Sequence, residues 1–302
     1  MKFDIIGRYK LWFVLSAFLI ALGLFGFSYN YIVRGKLMNV GIDFTGGTVL
    51  TLRFDEQAQI GRNLGRVRTT LEKFDLKENI IQIAGDKDIT IRTEPLESDT
   101  RTKIMEELQK EFGAVELLEA DTIGPSIGRE LRVQAFWALL LATVGILIYV
   151  SFRFEFKYAV AATAALWHDA IITVGLVALL WRSVDTAFIA ASLTVLGYSI
   201  NDTIVIFDRI RENLIRPSKD KKEFSAVVNE SILQTMARSV NTGLTVLFVD
   251  VCLVLFGGVT LKDFAITLFI GFSIGMYSSV FIASPLLVLM EKRFGKQKIR
   301  RA

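Results

Sequence analysis

The sequence has one cysteine and one histidine in 302 residues. Cys252 lies inside an apolar run, so a disulfide within the chain is excluded and cysteine usage says nothing of the redox compartment. Residues 34–130 contain neither His nor Cys, and their carboxylates are scattered along polar helical patterns, which excludes a Ser/His/Asp triad or a zinc cluster there. Nowhere does G-x-x-x-x-G-K-[ST] occur, so the chain lacks a P-loop for nucleotide hydrolysis. These absences point away from an enzyme and from a cofactor, and any work the protein does draws its energy from elsewhere.

Apolar residues, by contrast, make up 52% of the chain, with a mean hydropathy of +0.45. That is too apolar for an ordinary soluble domain and indicates an integral membrane protein. A span needs roughly 20 mostly apolar residues, and six segments qualify: 11–33, 132–152, 158–181, 186–208, 240–257 and 264–290. The first follows Lys2, Arg8 and Lys10 like a signal peptide, but it is too long for one and no A-x-A-like site precedes Arg34, so it reads as an uncleaved anchor. With the N-terminus inside, segments 1–10, 153–157, 208–239 and 291–302 hold 3, 2, 7 and 6 basic residues. The short outer loops hold only Arg182 and Lys262, and this asymmetry sets the orientation. The pI of 9.1 is therefore a topology signal and not a nucleic-acid footprint, because residues 34–130 carry 14 basic against 18 acidic side chains. The expected organisation is an anchor (1–33), an extracytoplasmic domain (34–130), a five-helix membrane domain (131–290) and a basic tail (291–302). The tail, KRFGKQKIRR, reads as a topology anchor, with anionic lipid binding as the alternative.

Within the outer segment, GTVLTLRF (47–54) alternates like a strand, and Ile60, Leu64, Val67, Leu71 and Phe74 share a helical face. NIIQIA and DITIRT flank a Gly85-Asp86-Lys87 turn and read as a hairpin. A second helix over 99–112 carries Ile104, Leu108 and Phe112, with Ser98 or Asp99 as N-cap and Gly113 at its stop, before a last strand in AVELLEAD. The order β-α-β-β-α-β is the ferredoxin-like, split βαβ pattern, which says little about chemistry.

Polar residues inside the spans are the candidate functional groups, because a charge at mid-bilayer costs roughly 2.5–3.5 kcal/mol on insertion scales. Asp202 lies in GYSINDTIVIFDRI, roughly 10 Å below the cytoplasmic surface at seven residues from Arg209. Desolvation opposes its charged form while Ser199, Asn201 and Thr203 offer hydrogen bonds to it, a balance suited to a proton relay; the alternative is a permanently neutral acid gluing helices. The sequon formed by Asn201-Asp202-Thr203 lies too deep to be glycosylated. Arg238, beside Ser239 and Asn241, reads either as a snorkelling arginine or as a cation that pairs with Asp202 and releases it. His168 and Asp169 sit in mid-span with no metal-ligand set beside them, His168 reading as packing or as a proton shuttle. Asp250 is a further buried acid whose role the sequence leaves open. Gly197 offers a close approach for another helix, and Gly271, Gly275, Ser279 and Ala283 form a small-residue packing stripe, internal or intersubunit, ahead of Pro285, a possible kink.

Six stretches in order, GIDFTGG (41–47), IGPSIGREL (123–131), SFRFEFKYA (151–159), WHDAIIT (167–173), GYSINDTIVIFDRIREN (197–213) and LFGG (255–258), resemble the SecF family of bacterial protein-export subunits, related to the resistance-nodulation-division transporters. The resemblance implies a SecD partner supplying a pseudo-symmetric second half, the SecY/SecE/SecG channel, a translocating unfolded polypeptide and protons as the driving ion, in the inner membrane. It also implies that the family's intramembrane aspartate is Asp202, that its arginine is Arg238 and that its His-Asp pair is His168-Asp169; Asp250 departs from the family pattern. On their own terms, Gly41, Gly46 and Gly47 around Asp43 make a tight turn into the outer domain, with Asp43 a hydrogen-bonding anchor. The competing readings are a proton-coupled small-molecule exporter of the same superfamily and a passive assembly subunit.

Overall fold

The computed structural model describes residues 4–55, 60–74, 76, 80–83, 87–215 and 223–294. Among them are six helices long and apolar enough to cross a membrane: Tyr9–Arg34, Pro125–Arg153, Phe156–Leu179, Thr186–Ile215, Phe224–Phe256 and Thr260–Arg293. In chain order the elements are α1 (Tyr9–Arg34), β1 (Asn39–Val40), α2 (Ile42–Thr45), β2 (Gly47–Phe54), α3 (Ile60–Glu72), β3 (Ile80–Ile83), β4 (Asp88–Thr93), α4 (Ser98–Phe112), β5 (Val115–Ile123), α5 (Pro125–Arg153), α6 (Phe156–Leu179), β6 (Ser183–Val184), α7 (Thr186–Ile215), α8 (Phe224–Phe256), α9 (Gly258–Ser278), a π-helical turn (Ser279–Ala283) and α10 (Ser284–Phe294). Two compact units result, residues 40–137 and the remainder.

In the 40–137 unit, four antiparallel strands lie in the order β3-β4-β2-β5, so β2 and β3 run parallel with β4 between them, the split βαβ arrangement. Register places Leu50 opposite Ile91 and Leu52 opposite Ile89. Those side chains, with Phe54, meet Val67 and Leu71 of α3 and Ile104 and Leu108 of α4 in one core, which puts both helices on one face of the sheet. A bulge at Thr51/Leu52 leaves Leu118 without an opposite residue on β2. Glu97, not Ser98 or Asp99, is the N-cap residue of α4, and its side chain makes no capping bond, because the helix begins one residue earlier than its acidic first turn suggested. Gly113 ends α4 at a φ of 82°, its N–H bonded to the Gln109 carbonyl. Gly85 and Asp86 of the expected hairpin turn, and the tail from Gly295 on, lie outside the described residues.

GIDFTGG is a short helix closed by Gly46 (φ 76°) and Gly47 (φ 133°). A Cβ on Gly47 would stand 2.4 Å from the Thr93 carbonyl oxygen, so β2 starts where only glycine fits. Gly128 packs against the same turn: a Cβ there would lie 3.1 Å from Gly46 N and 3.3 Å from Phe44 O. The entrance and exit motifs of the domain therefore meet backbone to backbone. Gly41 is buried within this turn and Asp43 half-buried.

In the membrane unit, α1 buries only Ser16, Gly23, Gly26 and Asn30, a stripe that lies chiefly against α6, with Ser16 meeting the Tyr277 hydroxyl of α9 at 3.2 Å. Gly23 and Gly175 let the two backbones cross: a Cβ on Gly23 would come 2.9 Å from Gly175 Cα. Further out, Asn30 donates to the Ala178 carbonyl at 2.7 Å, satisfying an acceptor near the end of α6. At the inner end, Ile5 is fully buried, and the Ile5 and Ile6 N–H groups both donate to Asn229 Oδ1 on α8. Pro285, which lacks an N–H, follows the π turn, and Ser284 Oγ donates to the Ser279 carbonyl at 3.1 Å. The helix accommodates its proline by widening one turn.

On the outer domain, Glu111 accepts from Thr70 and pairs with Arg66, and Glu107 pairs with Lys73; these bonds hold both carboxyls below their ordinary value of 4.5. A lowered folded-state value gives stability that is present above the unfolded value and lost as pH falls from there through the folded value. The urea midpoint for protease protection of this domain in the intact, detergent-solubilised chain should therefore drop between about pH 5 and about pH 3. Glu111→Gln should start lower at neutral pH and fall less across that window, and an unchanged pH slope in the variant would show that this pair is silent.

Candidate functional site

Helices α6, α7, α8 and α9 bury a run of small polar side chains where an apolar core would be expected. Asp169 on α6 is fully buried. Its Oδ1 meets His168 Nδ1 at 2.9 Å, and its Oδ2 accepts from Ser199 Oγ at 2.6 Å and Ser278 Oγ at 2.7 Å. Three helices thus converge on one carboxylate, and both of its oxygens are satisfied. Ser279 Oγ shares a hydrogen bond with Thr203 Oγ1 at 2.9 Å and donates to the Gly275 carbonyl at 2.9 Å.

Asp202 differs in kind. It is 8% exposed; Oδ1 accepts from Ser239 Oγ on α8 at 2.6 Å, whereas Oδ2 has no partner. Among the described residues no cation lies within ion-pair distance of it. Removing a buried carboxylate's partners is costly, typically about 1–3 kcal/mol per unmade hydrogen bond and more for a charged group. A half-satisfied acid with no direct ion pair is therefore the least settled polar group at this level of the bundle.

The sequence candidates divide accordingly. Asp202, Asp169 and His168 come together with Ser199, Ser239, Ser278 and Ser279. Arg238 and Asn201 are exposed on this chain, on the outward faces of α8 and α7 beside Ser239 and Asp202, and Arg238 makes no ion pair with Asp202. Gly197 has nothing within 4 Å. Asp250 ends the buried stripe of α8, 2% exposed, with Oδ2 unpartnered. His168 Nε2 is likewise buried and unpartnered, and the ring lies 6.3 Å from that of Tyr277, whose hydroxyl donates to the Trp12 carbonyl on α1 at 2.6 Å. Ser278 and Tyr277 escaped sequence reading, although both adjoin the small-residue stripe that was visible.

That stripe finds its partner inside the chain. A Cβ on Gly271 would come 2.3 Å from Val195 Cγ2, and one on Gly275 3.1 Å from Ser199 Cβ, so α9 packs on α7 through glycine and thereby brings Ser278 and Ser279 to Asp169 and Thr203. Towards the cytoplasm, Phe207 lies five residues beyond Asp202, its ring 5.2 Å from Tyr158 and 6.2 Å from Phe154, all three buried. Ion pairs Arg153–Asp208 (3.1 Å) and Lys157–Glu291 (2.7 Å) lie outside this aromatic layer. No group of three or more His, Cys, Asp or Glu able to hold a metal occurs among the described residues.

A multi-pass membrane protein with an α/β domain after its first span, and with hydrogen-bonded carboxylates where four helices meet, is the class that this geometry defines. Residues 103–293 match the model of the protein export membrane protein SecD/SecF, C-terminal, and residues 38–58 match the SecD/SecF GG motif. Two relatives named protein translocase subunit SecF are similar along nearly their whole length. That of Sebaldella termitidis is 40% identical over 98% of this chain and 94% of its own, and that of Thermodesulfovibrio yellowstonii is 37% identical over 96% and 95%. The crystal structure of SecDF, a translocon-associated membrane protein from Thermus thermophilus, superposes with a TM-score of 0.85 at 35% identity over 97% of this chain. A super-membrane-facing form of SecDF gives 0.68 at 34% identity. In these two cases the chain spans only about two fifths of the longer SecDF chain, 39% and 40%. The chain belongs to the SecD/SecF family.

Gly271→Ala should destabilise the chain by about 1–3 kcal/mol through overpacking against Val195. Gly197→Ala should be neutral or stabilising by up to about 1 kcal/mol, since nothing adjoins that site and alanine favours helix. Thermal midpoints of the two variants in detergent check the contrast.

Proposed function

We propose that the chain acts in Sec-dependent protein export as the SecF subunit of a proton-driven SecD–SecF pair, with Asp202 as the group that carries the proton. The observation that carries this reading is the Asp202 carboxylate itself, buried on α7 with Oδ1 on Ser239 of α8 and Oδ2 unpartnered. An acid that serves only as helix glue resembles Asp169, whose oxygens are both taken. Asp202 keeps one oxygen open for a proton. His168 and Asp169 act here as positioning residues, holding Ser199 and Ser278 and so the α6–α7–α9 contact beside the carrier.

Protonation reaches Asp202 from the outer side and deprotonation empties it inward, past the layer formed by Phe154, Tyr158 and Phe207. Arg238 and Asn201, exposed beside Asp202 in this chain, face the SecD half, and Arg238 reaches Asp202 only when that half moves. Coupling requires the charged and neutral forms of Asp202 to favour different helix arrangements. Each proton brings roughly 2.3 kcal/mol per 100 mV, which sets the scale of movement it can drive. The outer domain then alternates between holding and releasing an exported, unfolded chain as it emerges from the SecY/SecE/SecG channel.

Export of a model secretory protein into membrane vesicles, with and without an imposed proton gradient, tests the assignment. Asp202→Asn keeps the shape and the Ser239 bond but cannot cycle a proton. The gradient-dependent part of export should fall by at least tenfold, about 1.4 kcal/mol or more in rate terms, while assembly with SecD is retained. Unchanged gradient-dependent export in an assembled Asp202→Asn complex would overturn the relay and leave the passive-subunit reading.

A further inference from the structure

The carrier reading leaves one buried acid unused. Asp250 is 2% exposed, belongs to no hydrogen bond or ion pair among the described residues, and has its Oδ2 sealed from solvent. It lies on the same buried stripe of α8 as Ser239, the residue that holds Asp202. Eleven residues separate Ser239 from Asp250, which sets Asp250 about 16 Å nearer the outer surface along the helix.

Between the two levels α7, α8 and α9 meet through an apolar layer. Ala191 and Val195 of α7 and Leu268 and Phe272 of α9 form a buried cluster against Val246 and Leu247 of α8, one turn below Asp250. Its four buried members are all apolar, and the one titratable side chain packed against them is Tyr198. The charged groups at the outer end of these helices are engaged with one another or at the surface: Asp263 accepts from Arg182 and from the Ser183 N–H, Asp185 caps α7 through the Phe188 N–H, and Lys262 is half-buried. Tyr198, four residues outward from Asp202 on α7, is the nearest titratable group on the inner side of the layer, its ring 4.7 Å from Phe272.

We propose that Asp250 is the outer proton-loading site of this chain, separated from Asp202 by the Val195–Leu268–Phe272 layer. This rests on the reading of Asp202 as carrier and adds its supplier. A proton from water on the outer side binds the Asp250 carboxylate. Parting of α8 from α9 lets water cross the apolar layer, and the proton passes to Asp202 Oδ2, leaving Asp250 charged and ready to reload. The aromatic layer at Phe207 closes the opposite side, so the carrier lies between two water-excluding layers, each with titratable or charged groups beyond it.

Two measurements on the assembled complex test this. Gradient-dependent export by Asp250→Asn vesicles should be reduced about tenfold at outer pH of about 8, where protons are scarce, and less than about twofold at pH near 6, where direct loading of Asp202 suffices. Asp250→Glu, which keeps the carboxyl, should retain the wild-type pH profile. In the unsubstituted complex, dicyclohexylcarbodiimide, which reacts with protonated buried carboxyls, should label Asp250 in proportion to outer and not inner acidity, read by peptide mass. A loss in Asp250→Asn that is equal at every outer pH, no loss at all, or labelling that follows inner pH overturns the loading site. Asp202→Asn run alongside separates the two ideas: if it also leaves gradient-dependent export intact, the carrier reading has failed, and not only its supplier.

Discussion

The membrane part of this chain is organised by one constraint: inside the bilayer little water is available to satisfy a polar group, so a buried one needs a partner on its own or a neighbouring helix, and those left without one stand out. The bundle answers with hydroxyls. Ser199, Ser239, Ser278, Ser279 and Thr203 are small enough to sit between closely packed helices, and each bonds across a helix contact. Large apolar residues could have filled the same space but could not have received the carboxylates. Glycines on α9 set the approach distance that lets hydroxyl meet carboxylate, so close packing and polar satisfaction are one arrangement, not two.

The two mid-bundle acids show how a shared environment yields different degrees of satisfaction. Asp169 is saturated by one ring nitrogen and two hydroxyls, and removing any one of them leaves two. Asp202 leans on a single hydroxyl from α8. A sideways shift of α8 by little more than an ångström breaks that bond, because hydrogen bonds weaken steeply beyond about 3.2 Å. The Asp202–Ser239 contact is therefore where a change of charge and a change of helix position act on each other most directly.

Much of this was legible in the residues alone. Six apolar runs, the basic bias of their inner flanks and the alternation of 47–54 and 88–93 lead directly to six helices and a four-stranded sheet. The glycines of GIDFTGG announce a turn, and two positive φ values with a backbone contact at Thr93 explain why. Less legible were contacts that depend on how helices rotate against each other. Nothing in the local sequence says that Ser278, and not Ser273, turns inward, because both sit in a helix apolar all round. The α1 stripe Ser16, Gly23, Gly26, Asn30 carried a readable spacing of 7, 3 and 4, yet only the crossing with Gly175 gives it meaning. Arg238 was the hardest: adjacent to the buried Ser239, it is exposed, and a helix of 3.6 residues per turn turns neighbours about 100° apart.

That outward placement also says what kind of machine the single chain can be. A proton carrier needs its countercharge within reach in one state and out of reach in another, and at 4 Å the attraction is worth several kcal/mol in a partly buried site. Here the nearest candidate cation stands on the uncovered face of α8, beside Asn201 and the bare Gly197 on α7. Whatever covers that face decides whether Arg238 is driven in toward Asp202 or left in water. Solvent or a second body on the exposed face of α7 and α8 would change how strongly Arg238 acts on Asp202. On the carrier reading, the half-satisfied carboxylate and the exposed Arg238 and Asn201 beside it belong to one requirement: a partner packed on this face of α7 and α8 would set how strongly the cation acts on the acid.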